Sequence, residues 1–281
     1  MAETQHDIYY IEEIAPGSFK ICEQRAATMY LVCGREKACL IDTAFGLRDL
    51  RELVGHLTRL PVTVVNTHGH EDHTLGNQWF YGNGSGSVYM HPADWPMYEE
   101  IASGFAAMLD TPWVKEQFGE FIRDLDPASV HFPPAREIRE GDMLDLGGKA
   151  LEIVEMPGHT AGSIILLDRQ AKICYSGDAI LEHVWMFLEE SLPPQVYLDS
   201  LRHARDVIRK AGIERIFSGH YHDKPVLPAQ MDNMIAGMES IVAGKAVGEP
   251  FENMAGTGVQ YTFGDWEVLC RGQEASPEEK E

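Results

Sequence analysis

Side chains of the kind that bind metal ions are concentrated in one short segment of this chain. They are His68, His70, Asp72 and His73, within Thr67-His-Gly-His-Glu-Asp-His-Thr74. Imidazole and carboxylate groups suit zinc, iron or manganese, and Gly69 gives the segment freedom to bend tightly. Four ligands can serve two adjacent metal ions but cannot complete both coordination shells. The fold must therefore bring further ligands to the same place.

Further candidate ligands stand at the ends of short apolar runs later in the chain. The runs Ala150–Met156, Lys172–Ser176 and Arg215–Phe217 are followed by His159, Asp178 and His220, respectively. Each residue lies in or beside a glycine-containing turn, and Val62–Asn66 precedes the first segment in the same way. Because strand ends hold side chains rigidly, we expect His159, Asp178 and His220 to lie close to the four candidate ligands of the first segment.

The rest of the pattern predicts strands with helices outside them. The predicted strands are Phe19–Glu23, Met29–Cys33, Ala38–Ile41 and Ile164–Leu167, with a closing hairpin of Val259–Phe263 and Trp266–Leu269. The predicted helices are Leu47–Leu60, Pro194–Ala211 and Ala229–Ala243. An αββα sandwich of mixed α/β (α+β) class, with two mostly β halves and helices outside, accommodates this order, and the metals would then lie at the strand tips along one edge.

The ordered motifs resemble the metallo-β-lactamase fold superfamily from about Phe19 to Asp223. They are His-x-His-x-Asp-His, Gly-His-Thr-x-Gly-Ser, Gly-Asp and Gly-His. The resemblance implies that His68, His70 and His159 bind the first metal. It also implies that Asp72, His73 and His220 bind the second and that Asp178 bridges the two. Asp42, after the strand Ala38–Ile41, resembles the family's aspartate beneath the metal loop, a position from which it would orient ligand imidazoles.

The resemblance implies a metal-dependent hydrolase. Zinc β-lactamases usually carry a cysteine where Asp178 stands, whereas a bridging aspartate resembles the glyoxalase II, lactonase and phosphodiesterase branches. We expect cleavage of a small carboxylic ester, thioester or lactone by a hydroxide shared between two divalent ions, zinc first, with iron or manganese as alternatives. Asp72 and Asp178 are the predicted catalytic residues, and Tyr221 would steady developing charge. The alternatives are a phosphodiesterase of the same fold and an iron-dependent redox enzyme resembling persulfide dioxygenase.

An aromatic-rich and methionine-rich segment, Asn83–Pro134, separates the metal loop from the second half of the chain. We predict a helical insertion that shapes the substrate pocket, with ordinary core or a homodimer contact as the alternatives. A second predicted pocket wall is His183–Phe187, through His183, Trp185 and Phe187. His222 follows the ligand His220 and is also assigned to the pocket.

Composition limits the partners and the compartment. The chain has 281 residues, 44% of them hydrophobic, and a formal net charge of −21. Nucleic-acid binding needs a basic surface, which such an acidic chain does not offer. We therefore expect a small-molecule substrate and no nucleic-acid partner. No apolar run approaches the roughly 20 residues of a membrane span. Five cysteines in apolar patterns predict free thiols and, with no signal-peptide pattern, a cytoplasmic protein. We predict one domain, 1–271, and an acidic, disordered tail, 272–281.

Overall fold

The computed structural model describes residues 4–6, 8–24, 26–82, 87–123, 125–220 and 222–272. The strands are β1 (Thr4–His6), β2 (Tyr9–Ala15), β3 (Ser18–Glu23), β4 (Thr28–Cys33), β5 (Ala38–Ile41), β6 (Val62–Val65), β7 (Val88–Met90), β8 (Ala135–Glu137), β9 (Met143–Asp145), β10 (Ala150–Glu155), β11 (Ile164–Asp168), β12 (Ile173–Gly177), β13 (His183–Met186), β14 (Arg215–Ser218), β15 (Glu249–Asn253), β16 (Gly256–Phe263) and β17 (Trp266–Cys270). The α-helices are α1 (Leu50–Leu57), α2 (Glu71–Thr74), α3 (Trp95–Leu109), α4 (Pro112–Ile122), α5 (Pro194–Ala211) and α6 (Met231–Val242).

Two sheets pack face to face. The first has the order β1-β2-β3-β4-β5-β6-β7-β8, and the second has the order β14-β12-β11-β10-β9. Successive side chains of a strand point to opposite faces. One face of β4 and β5 therefore sends Val32 and Ile41 into the layer between the sheets, where they meet Ile153, Leu166 and Tyr175 of the second sheet. This layer forms the central core of the molecule.

Helices cover the outer face of each sheet. Leu50, Leu53 and Val54 of α1 pack on the first sheet and bury Ala38 and Leu40 of β5, whereas Cys39 and Ile41 of the same strand are buried between the sheets. α5 and α6 cover the second sheet, with Tyr197 and Leu201 of α5 fully buried. The order of layers is therefore helix, sheet, sheet, helix, and the predicted αββα sandwich is confirmed.

Local signals set the helix ends. α5 spans the predicted residues, and it ends where Gly212 adopts a left-handed backbone with φ of 70°. α1 begins at Leu50, later than the predicted Leu47, because Asp49 caps it, accepting a hydrogen bond from the backbone N–H of Arg51. A side-chain cap of this kind satisfies one of the unpaired N–H groups at a helix start.

The predicted insertion is helical only in part. α3 and α4 pack around Phe105, Leu109 and Val114, but the segment opens with β7, which pairs parallel with β6 in the first sheet. The expectation of a helical insertion was wrong at β7, because three residues become a strand only through pairing with a neighbour. Residues 83–86 and 124 lie outside the described part.

A third sheet, with the order β13-β17-β16-β15, packs beside α6. Its β16–β17 hairpin turns at Gly264, with φ of 67°, where the sequence predicted it.

All five cysteines lie in strands and none is in a disulfide. In the described part of the chain, every helix is too short or too polar to cross a bilayer. Of the predicted tail, residues 273–281 lie outside the described residues.

A buried glutamate anchors the loop after β5. Glu23 accepts hydrogen bonds from the backbone N–H groups of Phe45 and Leu47, each at 3.0 Å, and from the Tyr9 hydroxyl, also at 3.0 Å. Burial raises the pKa of Glu23 from 4.5 to about 7, against the opposing effect of these hydrogen bonds. The folded protein therefore retains a proton that the unfolded chain releases near its ordinary pKa.

This difference predicts a pH-dependent stability. Between pH 4.5 and 7 the unfolded chain binds fewer protons at Glu23, so this residue's contribution to the free energy of unfolding falls by roughly 3 kcal/mol as pH rises. Glu23→Gln should remove that decline, which urea unfolding at several pH values would measure. Glu100→Gln, on the exposed side of α3, is the control and should leave the decline unchanged. Identical pH profiles for Glu23→Gln and the wild type would contradict the prediction.

Candidate metal centre

The predicted ligands lie where strands of both sheets end at one edge of the sandwich. Asp42 and His68 follow the parallel strands β5 and β6. Asp178 and His220 follow the parallel strands β12 and β14. His159 follows β10, which runs in the same direction as β12 because both are antiparallel to β11. Carboxyl ends of strands that share a direction meet at one edge, so these turns converge.

Three imidazoles form a first group. The Nδ1 atom of His70 lies 3.0 Å from Nε2 of His68 and 3.0 Å from Nε2 of His159. The ring of His70 stands at 85° and 82° to the other two rings, respectively. One nitrogen of each ring therefore faces a common point, the arrangement of a three-histidine metal site.

A second group lies beside the first. The Oδ2 atom of Asp72 lies 3.7 Å from Nε2 of His73 and 3.5 Å from Nε2 of His220. Within each group, the donor atoms all lie within 4.8 Å of one another. The second set thus combines one carboxylate and two imidazoles around a point of its own.

Asp178 stands between the two groups. Its Oδ2 lies 2.9 Å from Nε2 of His220 and 3.8 Å from Nε2 of His159, and its Oδ1 lies 3.4 Å from Nε2 of His73. The structure brings the seven predicted ligands together at one site, and Asp178 reaches both groups. Its bridging of two metal ions stays a prediction.

Asp42 holds the metal loop from below. Its carboxylate accepts hydrogen bonds from the Thr67 backbone N–H at 2.7 Å and the Thr67 hydroxyl at 2.8 Å, and Oδ2 lies 3.0 Å from Nδ1 of His73. The Thr67 hydroxyl oxygen in turn lies 3.0 Å from Nδ1 of His68. Partners at Nδ1 leave Nε2 of both imidazoles facing the site, which is the orienting role predicted for Asp42.

Two further contacts orient the other imidazoles of the first group. Nδ1 of His159 lies 2.7 Å from the Trp185 carbonyl oxygen. Nε2 of His70 lies 2.5 Å from the carboxylate of Glu190. Because a ring nitrogen that donates to such a partner carries the proton, the opposite nitrogen keeps its lone pair for a metal. Each ring of the first group is thus held with its free nitrogen towards the common point.

Buried atoms without partners show that a cation fits here. In the described part of the chain, Nε2 of His73 and Oδ1 of Asp178 are buried with no hydrogen-bond partner, although they lie 3.4 Å apart. Unsatisfied polar atoms are costly in a protein interior. A metal ion in contact with both atoms would remove that cost, and an imidazole nitrogen with a carboxylate oxygen is a suitable donor pair.

Burial and repulsion between neighbouring imidazoles keep two of the candidate ligands, His68 and His159, in the neutral form. Burial and the nearby His70 lower the pKa of His159 to about 4. Burial and the nearby His73 hold the pKa of His68 well below its usual value. These imidazoles are therefore neutral at pH 7, which is the form that coordinates metals.

The carboxylates give the site surplus negative charge. Burial acts to raise the pKa of Asp178, but His220 and His73 outweigh it and hold that pKa well below its usual range. Burial likewise acts to lower the pKa of His73, yet Asp72 and Asp178 raise it to about 10. The protein without metal thus attracts protons to the place where cations would sit, and metal binding would release them.

Close backbone approach at the site requires glycine at two turns. A Cβ added to Gly219 would lie 2.5 Å from Oδ1 of Asp178 and 2.5 Å from a ring carbon of His73. Gly177 has a φ of 50°, and a Cβ there would lie 2.2 Å from the Thr67 hydroxyl. The Gly-Asp and Gly-His motifs therefore leave space for the ligands as well as ending strands.

Asp94, which the sequence analysis missed, ties the two ligand loops together. It is 1% exposed and accepts hydrogen bonds from the Gly69 N–H at 2.9 Å, the Gly162 N–H at 2.6 Å and the Thr160 hydroxyl at 2.7 Å. Gly69 belongs to the first metal loop, and the other two residues follow His159. One carboxylate from the start of the insertion therefore sets the spacing between the loops.

These supporting residues differ in how far the sequence could have indicated them. Thr67 precedes His68 inside the motif, so its contact with a ligand could have been inferred. Asp94 and Glu190 carry no such signal, because they lie 25 and 120 residues from their partners Gly69 and His70. Only the folded chain brings them to the site.

The residues predicted to line the substrate pocket contact different neighbours and differ in exposure. Trp185 is half-buried, and its ring centroid lies 5.3 Å from that of Phe187, which itself is 7% exposed. The exposed His183 lies 2.9 Å from Glu267, and the half-buried His222 lies 3.6 Å from Glu182. Tyr221 lies outside the described residues. Contact of these side chains with substrate stays a prediction.

Comparisons with known proteins agree with this geometry. The family model described as the metallo-beta-lactamase superfamily matches residues 23–220, a range that includes all seven candidate ligands. A chicken (Gallus gallus) protein named acyl-coenzyme A thioesterase MBLAC2 is 28% identical over 218 residues, covering 70% of this chain and 73% of that protein.

Solved structures share the fold. The metallo-beta-lactamase family protein TTHA1429 of Thermus thermophilus is 22% identical, with a TM-score of 0.58, covering 83% of this chain and 82% of that one. TTHA1623 in a di-iron-bound form is also 22% identical, with a TM-score of 0.53, covering 72% and 90%. Because the family match spans well over half of the sequence, this chain belongs to the metallo-beta-lactamase superfamily and, as predicted, is a metal-dependent hydrolase.

Proposed function

We propose that this protein hydrolyses carboxylic thioesters, with related esters and lactones as poorer substrates, using two divalent metal ions. The observation that carries the proposal is the pair of adjacent donor groups joined by Asp178. The chicken relative named as a thioesterase supports the choice of a thioester over the other acyl compounds.

Two metal ions would be held by the seven converging side chains, with His68, His70 and His159 on one side and Asp72, His73 and His220 on the other. Zinc is our first choice, with iron or manganese as alternatives, because imidazole and carboxylate accept all three. When bound, such ions polarise a carbonyl oxygen and bring the pKa of water towards neutrality.

The protein's own residues have distinct tasks in this proposal. Asp42, Glu190 and the Trp185 carbonyl fix ring orientations, so little rearrangement is needed during the reaction. Of the aspartates Asp42, Asp72 and Asp178, Asp72 is the most accessible, its side chain being 22% exposed against 11% for Asp178 and 2% for Asp42. We assign Asp72 to accept the hydrogen bond of the attacking water.

The remaining assignments concern partners and location. We propose a small-molecule substrate and no nucleic-acid partner, because a net charge of −21 opposes binding of polyanions. A cytoplasmic location and a homodimer are retained from the sequence as proposals, as is the single domain 1–271.

A substrate panel tests the proposal. It contains an acetyl thioester, an aryl acetate, a lactone and a bis-aryl phosphodiester, and oxygen uptake is measured separately with a persulfide. We expect kcat/KM for the thioester to exceed that of every other substrate by at least about tenfold, or about 1.4 kcal/mol in activation free energy. A chelator should abolish this activity and added zinc restore it. Preferred hydrolysis of the phosphodiester, or oxygen uptake without hydrolysis, would replace the proposal with one of those activities.

A further inference from the structure

An apolar cavity of about 440 Å³ lies between the helices α3 and α4 and the loop that follows β5. Its walls include Phe45, Met108, Phe118, Phe121 and Ile122. These side chains are only partly buried in the folded chain, so the cavity presents hydrocarbon surface that the protein itself does not cover. The volume falls in the range of about 300 to 1,000 Å³ typical of small-molecule sites.

The cavity shares a wall with the metal centre. Glu71 lines it, and the neighbours of Glu71 on either side in the chain are the candidate ligands His70 and Asp72. Leu75, just after α2, lines it as well. Because Glu71 lines the cavity and Asp72 and His73 of the same short helix are candidate ligands, the cavity lies beside the metal loop.

Charge is confined to a few of the lining residues. The charged residues that line the cavity are Arg48, Asp49 and Glu71, and the side chains of Arg48 and Glu71 are exposed. The Arg48 guanidinium carbon lies 4.6 Å from the ring centroid of Phe121. Away from Arg48, the interior therefore suits an uncharged hydrocarbon, because a carboxylate or phosphate buried there would lose its hydration without compensation.

We propose that this cavity binds the unbranched hydrocarbon chain of a medium-length to long-chain acyl thioester whose carbonyl lies at the metal centre. The inference rests on the proposed thioesterase function and deepens it by locating the subsite that selects the acyl group. The insertion between β7 and β8 supplies α3 and α4, so it acts as the specificity-determining part of the chain.

A chain-length series tests the subsite in the wild-type protein. Acetyl, butanoyl, hexanoyl and octanoyl thioesters of one small thiol are compared under conditions where all are dissolved as monomers. Burial of each methylene should raise kcat/KM about fourfold, equivalent to about 0.8 kcal/mol. A flat series, or one that falls with length, would overturn the proposed subsite even if the acetyl thioester is hydrolysed well.

A cavity-filling variant tests the location. Met108→Trp should lower kcat/KM for the octanoyl thioester by at least about thirtyfold while changing that for the acetyl thioester by less than about twofold. Met143→Trp, at a residue of β9 that is 56% exposed, is the matched control and should behave like the wild type. If the folded Met108→Trp protein kept the wild-type preference for the octanoyl over the acetyl thioester, the acyl chain of the substrate would have to bind elsewhere.

Binding of non-hydrolysable thioethers separates this inference from the proposed function. The S-octyl and S-methyl thioethers of the same small thiol are compared by calorimetry. The S-octyl thioether should bind the wild-type protein at least about thirtyfold more tightly, with a negative heat-capacity change from apolar burial. This preference with no thioester hydrolysis would refute the thioesterase but retain the subsite. Equal affinities for the two thioethers would refute the subsite while leaving thioester hydrolysis to be judged by its own assay.

Discussion

Replacing Asp178 with alanine is expected to lower kcat/KM for the best thioester by at least about 10³-fold, or about 4 kcal/mol of transition-state stabilisation. Asp178 is the residue whose two oxygens reach His73, His159 and His220 of both donor groups. Without it the groups lose their shared carboxylate, so at least one metal ion should also be lost. Elemental analysis beside steady-state kinetics measures both effects.

Two comparison variants sharpen that result. Asp178→Asn preserves the size of the side chain but removes its charge, and it should lose metal nearly as completely as Asp178→Ala. Asp199→Ala removes a carboxylate that is 61% exposed on α5 and should change neither metal content nor activity. If Asp178→Ala kept two metals and wild-type kinetics, the activity could not come from a pair of ions joined through this residue.

The convergence of the candidate ligands could be predicted because each of them follows a local pattern. His159, Asp178 and His220 stand after short apolar runs that end at glycine-containing turns, and those runs are β10, β12 and β14 in the structure. Strands of one direction in the same sheet carry their turns to the same edge. Local sequence therefore indicated that these three residues would meet at one edge, and their role as metal ligands stays a prediction.

The supporting residues could not be predicted because their contacts depend on distant packing. Glu190 meets His70 only after the chain from β13 to α5 has folded over the metal loop. β13 itself becomes a strand by pairing in parallel with β17, far along the sequence. Likewise, the cavity beside α2 requires α3 and α4 to pack against the loop at Phe45, which helical periodicity does not disclose.

Asp94 is a supporting residue that contacts both ligand loops. Its carboxylate satisfies two backbone N–H groups and one hydroxyl inside the protein. Burial raises its pKa, while the hydrogen bonds from Thr160, Gly162 and Gly69 oppose that rise. Removing the acceptor would leave buried donors unpaired at two loops that must keep a fixed distance.

We expect Asp94→Ala to lower the free energy of unfolding by about 3 to 5 kcal/mol and to weaken metal binding by about 10-fold to 100-fold. Urea unfolding and metal competition with a chelator measure these effects. Asp94→Asn keeps one acceptor oxygen and should fall between Asp94→Ala and the wild type. Asp110→Ala, at the other end of α3 with an 83% exposed side chain, should change neither quantity. Lost stability with wild-type metal affinity would make Asp94 a support of the fold alone, with no part in positioning the ligands.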